Sequence, residues 1–334
     1  MKPFPLDGGM KALVVEALAP DFVGCAVRDV PTPTPGPGEV LVRIRAASVN
    51  FPDLLMTRGE YQLKPDLPFT PGLDFAGEAA ALGEGVEGLD VGAAVVGGAR
   101  TGAFAEYIAV PARALKPKPA RLSFAEAASY GAAYLTARVA LVRRANLQAG
   151  EWLLVHGAAG GVGLAAVDLA KAMGAKVIAA SASDDKLAQV SRLYAPDAVV
   201  NVTGGFRDRV KEITGGRGVD VVYDPVGGDV FDESLRCLAF DGRLLVIGFT
   251  SGRIPTVSAN IPLIKGISVM GVRAGEYGRQ FPDRGAEDQA AVWAMAEAGT
   301  IRPHVHAEVP LDRWREAFEL LASRRVVGKA VVVF

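Results

Sequence analysis

Cysteine and histidine are scarce in this chain of 334 residues. Cys25 and Cys237 are the only thiols, and His156, His304 and His306 the only imidazoles. A four-thiolate structural zinc site is therefore impossible, and no CxxC or HExxH pair offers a catalytic one. Two isolated cysteines read as core residues, which is where free Cys most often lies. Charge of one sign is also missing: 36 Lys and Arg face 37 Asp and Glu, for a net charge of −1. That balance counts against nucleic acid or an anionic membrane as a partner. No apolar run reaches the roughly 18–20 residues of a membrane span. The start, MKPFPLDGGMKALVVE, has no apolar core of a secretory leader, so the expected compartment is the cytoplasm. Residues 1–9 read as a loose extension before a first strand near Met10.

The first third is β-rich. MKALVVE, GEVLVRIRAASV, FAGEAAAL, AAVVG and AFAEYIAV are short apolar or β-branched runs separated by Gly and Pro. PTPTPGPGE, at 31–39, is a stiff proline-rich connector. From Ser123 the texture becomes alanine-rich with helical spacing, opened by Ser123 and Glu126 as a capping box. Beyond Glu151 strands and helices alternate: WLLVH, AKVIAAS, AVVNV, VDVVYDPV, GRLLVIGF and GISVMGV are the strands. Near-continuous apolar strands separated by helices predict a parallel sheet covered on both faces. The fold class is thus α/β, with a doubly wound, six-stranded Rossmann sheet over residues 126–274. The mixed segment 275–334 is expected to fold back onto the β-rich domain of residues 1–125.

Between the first strand and helix of that sheet lies HGAAGGVG, which fits a dinucleotide turn in two registers. One is Ala158-x-Gly160-x-x-Gly163, the other Gly161-x-Gly163-x-x-Ala166. The strand ends near His156, so the second register would begin inside the helix and the first is preferred. Backbone amides over Gly160, Gly161, Val162 and Gly163 then face a pyrophosphate at the positive end of the helix dipole. About twenty residues on, an acid would hold a free 2′-hydroxyl. Ser181, Ala182, Ser183 and Lys186 stand there instead, and hydroxyls with a lysine suit the 2′-phosphate of NADPH. Asp184 and Asp185 oppose this, but are placed to cap the next helix.

GAAGGVGLAAVDLAKAMGAKVI, ITGGRGVDVVYDPVGG, GRLLVIGF and ASVNFPDLL…GEYQ…LPFTPGLDFAG together resemble the zinc-independent, zeta-crystallin-like quinone oxidoreductase branch of the medium-chain dehydrogenase/reductase superfamily. The resemblance runs from about Met10 to Phe334. It implies a GroES-like catalytic domain made from both chain ends (1–125 and 275–334), a Rossmann NADPH-binding domain, and a homodimer. It also implies roles for particular residues. Asn50 stands where zinc-dependent relatives place their first cysteine ligand, and in this branch lies beside the nicotinamide. Tyr61 in GEYQ matches the pocket tyrosine, Thr136 the threonine near the nicotinamide-side phosphate, and Ser181 and Lys186 the 2′-phosphate contacts. Phe249 matches the lining of the nicotinamide pocket. Arg324, four before Gly328, matches an arginine reaching the cofactor from the C-terminal segment. One departure is Val202, where relatives often carry a tyrosine near the adenosine phosphate; it weakens the preference for NADPH.

Without a metal there is no strong Lewis acid, and no histidine or carboxylate pair presents itself as the base for oxidising an alcohol. The chemistry left is hydride transfer to a conjugated carbon of a quinone or an α,β-unsaturated carbonyl, with hydrogen-bond donors for the oxygen that takes the charge. Asn50 and Tyr61 are the candidate donors. Asn50 could equally orient the nicotinamide amide, and Tyr61 could equally be a pocket wall. Two alternatives stand beside this reading. An enoyl-CoA reductase would need cations such as Lys265, Arg273 and Arg279, and an NADPH-binding protein with a crystallin-like or RNA-binding role would need no turnover. His156 reads as a structural hydrogen-bonder, His304 and His306 as surface residues, Asp53 and Asp74 as loop-fixing residues, and Arg143, Arg144 and Arg325 as solvated.

Overall fold

The computed structural model describes residues 8–334; the expectation of a loose N-terminal extension falls mostly outside the described residues. The chain divides into two compact units. One comprises the described residues up to Ala132 together with Pro303–Phe334, the other Ala133–Arg302.

The first unit opens with the antiparallel pair β1 (Gly9–Val15) and β2 (Cys25–Pro31). β3 (Glu39–Ser48), helix α1 (Phe51–Thr57), β4 (Asp74–Leu82), β5 (Ala94–Gly98), β6 (Tyr107–Pro111) and β7 (Leu115–Pro117) follow. β3 is the hub of this unit, antiparallel to both β4 and β6. Its residues Val40, Val42, Ile44 and Ala47 lie in the unit's main core with Phe75, Val95 and Phe104. Helix α2 (Phe124–Arg138) begins as expected, with Ser123 N–H on Glu126 Oε2 at 2.8 Å and Glu126 N–H on Ser123 Oγ at 3.1 Å. It runs into a single π-helical turn, Val139–Arg144.

The second unit holds six parallel strands: β8 (Trp152–Val155), β9 (Lys176–Ser181), β10 (Ala198–Asn201), β11 (Val219–Asp224), β12 (Leu238–Val246) and β13 (Ser268–Gly271). Helices α3 (Gly161–Ala172), α4 (Asp184–Tyr194), α5 (Arg207–Ile213), α6 (Gly228–Ser234) and α7 (Asn260–Lys265) connect them. The order β10-β9-β8-β11-β12-β13 is that of a Rossmann sheet, with the direction of winding reversing between β8 and β11. Leu154, Ile178, Val200, Val222 and Leu244 pack on Phe206, Val210, Phe231 and Leu235 from the covering helices. That explains why these strands read as unbroken apolar runs rather than alternating ones.

Helices α8 (Ala274–Gln280) and α9 (Pro282–Ala298) follow. They belong to the second unit, which corrects the expected return of residue 275 onward to the first domain. The reason is electrostatic. Asp288 of α9 is fully buried and accepts from Arg138 Nε at 2.9 Å and Arg143 Nε at 3.0 Å, while Glu287 takes Arg143 Nη2 at 2.7 Å. Arg302 N–H donates to the buried Asp168 at 2.7 Å. Arg143 is accordingly an ion-paired residue and not a solvated one. The chain returns to the first unit only at Pro303. There β14 (Val305–Pro310) pairs parallel with β15 (Lys329–Val333), which lies antiparallel to β3. Between them α10 (Trp314–Ala322) adds Trp314 and Phe318 to an edge-to-face aromatic group with Phe22 and Phe104. No helix among the described residues is long and apolar enough to cross a membrane.

Candidate active site and dinucleotide turn

The strand-to-helix turn takes the register that the end of β8 predicted. Gly160 is the N-cap of α3, in extended conformation, so Gly161 is already helical. The sharp bend falls at Gly157, directly after His156, where the strand is expected to end. Gly157 sits at φ 55°, a left-handed conformation that glycine adopts without strain. A Cβ on Gly163 would stand 2.2 Å from the Gly157 carbonyl oxygen, and one on Gly160 3.3 Å from the same atom. The third glycine therefore serves the close approach of helix to turn. The helical ladder starts with Leu164 N–H on Gly160 O at 2.8 Å, leaving the amides of Gly161, Val162 and Gly163 without acceptors inside the helix. Three such amides at the positive end of a 12-residue helix fit a pyrophosphate. Ala158 is buried, and its N–H ties the turn to Ala180 O of β9 at 3.1 Å.

A second turn lies alongside. Gly157 faces Pro225 and Val226, which a Cβ would meet at 3.4 and 3.5 Å. That turn is held by the buried Asp224, whose Oδ1 accepts from Val226 N at 2.8 Å and Gly227 N at 2.9 Å. Phe249, 38% exposed, lies next to Gly227. Both turns sit at the carboxyl ends of β8 and β11, beside the switch point where open α/β sheets bind ligands. His156, just after β8, is buried, and its pKa is pulled down to about 3 by burial. Its Nε2 is 2.8 Å from Ser234 Oγ, and that hydroxyl spends its one hydrogen on Val230 O at 2.6 Å. Nε2 must therefore carry the proton and donate, which is the structural role the sequence suggested.

Past β9, Ser183 rather than either aspartate caps α4, accepting from Lys186 N at 3.4 Å. Ser183 N–H reaches Ser181 Oγ at 3.4 Å. Asp184 is turned onto Asn201 Nδ2 at 2.8 Å. Lys186 occupies the first turn of α4, and Val202 packs on the core. Thr136 is half-buried in α2.

In the first unit, the register of β4, β3 and β15 places Ser48 opposite Asp74 and Val331. A buried polar cluster forms at that end of the sheet. Asn50, 8% exposed, donates from Nδ2 to Asp74 Oδ2 at 3.1 Å, Ser48 O at 3.2 Å and Ser48 Oγ at 3.3 Å. Its Oδ1 accepts from Lys329 Nζ at 2.5 Å. Asn50 N–H donates to Asp53 Oδ2 at 2.8 Å, and Gly72 N–H to Asp53 Oδ1 at 3.0 Å. Burial raises the pKa of Asp53 to about 7 and raises that of Asp74, with Lys329 opposing both shifts. Burial lowers that of Lys329, against the pull of Asp74 and Asp53.

Two sequence families match the chain: an alcohol dehydrogenase GroES-like domain over residues 36–120 and a zinc-binding dehydrogenase over residues 161–287. A quinone oxidoreductase-like protein 2 from Mus musculus is 39% identical over 295 residues, 88% of this chain and 84% of that one. The chain belongs to the quinone oxidoreductase branch of the medium-chain dehydrogenase/reductase superfamily. Solved members of the superfamily superpose closely on it. A probable oxidoreductase from Mycobacterium abscessus is 40% identical with a TM-score of 0.88, covering 98% of this chain and 99% of that one. A mycobacterial protein complexed with NADPH is 31% identical, also at 0.88, covering 97% and 100%.

As a quinone oxidoreductase relative, the chain is an oxidoreductase that uses a nicotinamide cofactor. Of the residues marked in its sequence, the structure brings Gly160, Gly161, Val162 and Gly163 together in one turn, and Ser181, Ser183 and Lys186 at the end of β9. Tyr61 is half-buried in the loop after α1, and Arg324 is exposed at φ 56° after α10. His306 is exposed, whereas His304 is half-buried and its carbonyl accepts from Lys329 N at 3.1 Å. Sequence reasoning missed Lys329 and the part Asp74 and Ser48 play around Asn50. The available signal was a lysine opening the otherwise apolar strand KAVVV.

Proposed function

We propose that this quinone oxidoreductase relative reduces a quinone or an α,β-unsaturated carbonyl with NADPH, without a metal. The observation that carries this is Asn50. At the position where zinc-dependent relatives hold a thiolate, its carboxamide nitrogen is taken up by Ser48 and Asp74 and its oxygen accepts from Lys329, with a second lone pair left for another donor. An amide bonded on both sides is a poor zinc ligand. The rest of the donor set does not fit zinc either: both cysteines are buried, with pKa values raised to about 11 and about 12. No group of three or more His, Cys, Asp or Glu able to hold a metal occurs among the described residues.

When bound, NADPH supplies a hydride to the acceptor carbon. Tyr61, marked as the pocket tyrosine by its place in GEYQ, is the candidate donor to the oxygen on which charge then collects. Because both amide hydrogens of Asn50 already have acceptors, its role is to orient the cofactor's carboxamide rather than to donate to substrate. NADPH over NADH is supported by Ser181, Ser183 and Lys186 and by the turning of Asp184 onto Asn201, together with the NADPH complex of the mycobacterial relative. Of the cations that an acyl-CoA would need, Arg279 is already bound by Glu276 at 2.8 Å, which favours the smaller acceptor. A cytoplasmic location fits this reading.

One panel tests it: nicotinamide oxidation followed with a quinone, a 2-alkenal and crotonyl-CoA, with NADPH and with NADH. Turnover is expected with the quinone or the alkenal, faster with NADPH. No oxidation with any acceptor would overturn the reading. In the same panel Lys186→Ala should weaken NADPH by about 10-fold or more, the value of a charge-assisted hydrogen bond, with NADH nearly unaffected. Equal loss on both would remove the phosphate role.

The reading includes a homodimer. Edge strand β13 pairs only with β12 among the described residues. Phe240 of β12, beside Gly266, is 82% exposed, and Leu263 of α7, just before β13, is 81% exposed with Ile264. A second copy would extend the sheet and cover these side chains at once. Leu263→Asp should shift sedimentation from dimer to monomer; an unchanged profile would place the interface elsewhere.

A further inference from the structure

We propose that Lys329 is a positioning residue of the reduction, its ammonium fixing the orientation of the Asn50 carboxamide. The inference rests on the reading that Asn50 faces the nicotinamide, and names what sets that side chain.

An ammonium can only donate and an ionised carboxylate can only accept. The atom of Asn50 that meets Lys329 Nζ at 2.5 Å must be the oxygen, and the one that meets Asp74 Oδ2 at 3.1 Å must be the nitrogen. A half-turn of the amide would oppose donor to donor and acceptor to acceptor at once. Ser48 adds two acceptors on the nitrogen side, and Val49 O takes a second, longer bond from Nζ at 3.4 Å. The charge is not needed for the strand. Lys329 is 7% exposed at the start of β15, where Ala330, Val331 and Val332 are all buried, and an apolar residue would satisfy that sheet without desolvating an ion. Buried ammonium groups are costly and persist where they are paired. The groups facing this one are Asp74 of β4 and Asp53 of α1. Tyr130 of α2, pushed up to about 12, faces Asp74 in turn.

The experiment compares Lys329→Met, Lys329→Gln, Asn50→Ala and the Lys329→Met/Asn50→Ala double variant, with NADPH and 1,4-naphthoquinone. Lys329→Met should lower kcat about 10–100-fold while the Kd for NADPH stays within about 3-fold, as expected when geometry near the reacting atoms is lost. In the Asn50→Ala background the same change should cost less than about 3-fold, because the two act as one unit. Wild-type kcat should fall on the alkaline side, beginning below the pKa of a free lysine, because burial makes this ammonium easier to deprotonate. Asp53 and Asp74, both raised by burial, remain in Lys329→Gln, so a limb lost in that variant belongs to Lys329. Lys329→Gln keeps a neutral donor that folds into the same space, and should lose the alkaline limb with a smaller drop in kcat. If Asn50→Ala slows turnover and Lys329→Met does not, Lys329 has no positioning role. An alkaline limb that persists in Lys329→Gln would equally exclude that role, as would a Lys329→Met loss undiminished in the double variant. An unchanged kcat in Asn50→Ala would instead overturn the reading of Asn50 itself.

Discussion

Gly163→Ala is expected to abolish dinucleotide binding, with the Kd for NADPH raised by about 100-fold or more. The added methyl would stand 2.2 Å from the Gly157 oxygen and 2.8 Å from its carbonyl carbon. Both are backbone atoms of a turn whose own conformation is already special, so no rotamer change can relieve the overlap. The first turn of α3 must back away from β8, and the three amides move off the pyrophosphate together. Loss of two or three charge-assisted bonds to a phosphate, each worth about 1.5–3 kcal/mol, accounts for the size of the effect. Gly160→Ala meets the same oxygen at 3.3 Å, a distance that a shift of a few tenths of an ångström accommodates. It should weaken binding by about 10-fold or less. Fluorescence titration with NADPH gives the order; a Gly160 variant worse than the Gly163 variant would contradict this geometry.

Acid should destabilise the second unit through His156. Burial holds this imidazole neutral, with its pKa lowered from 6.5 to about 3. The unfolded chain takes up a proton near 6.5 and the folded one does not until about 3. Stability from this group is therefore fully present above pH 6.5 and declines as the pH falls toward 3, by about 1.4 kcal/mol per unit. At about pH 4.5 the loss is on the order of 3 kcal/mol. His156→Gln removes the titration and keeps an amide that can donate to Ser234. Urea unfolding from about pH 7.5 to about pH 4.5 should show the variant's stability falling less steeply by about one proton, and parallel curves for the two proteins would refute the assignment.

The parts of this molecule legible in its sequence are those set by neighbours along the chain. All six Rossmann strands declared themselves because a sheet covered on both faces asks every residue of a strand to be apolar. The register of the glycine turn followed from where β8 stops. The Ser123–Glu126 box needed only a short local pattern. What escaped depends on distant partners. Helix α9 looked free to join the first unit because nothing in AEDQAAVWAMAEAG shows that Asp288 will meet Arg138 and Arg143. The cap of α4 was misplaced by one residue because Ser183 and Asp184 are equally good caps, and only the fold turns Asp184 onto Asn201. Lys329 was overlooked for the same reason: a lysine in a strand declares its meaning only when Asn50, 279 residues earlier, stands in front of it.

That separation bears on how the protein is made. The second unit is one continuous stretch and can fold as soon as Arg302 has left the ribosome, whereas the sheet of the first unit waits for β15, which lies between β14 and β3. Until the last few residues emerge, Asp74 has no ammonium near it, Asn50 Oδ1 lacks its donor, and the edge of β3 lies open. Long-range pairings of this kind form late. A nascent chain would thus complete its Rossmann unit first and the cluster around Asn50 last, and a product cut short before residue 329 would lack the ammonium that meets Asn50 Oδ1.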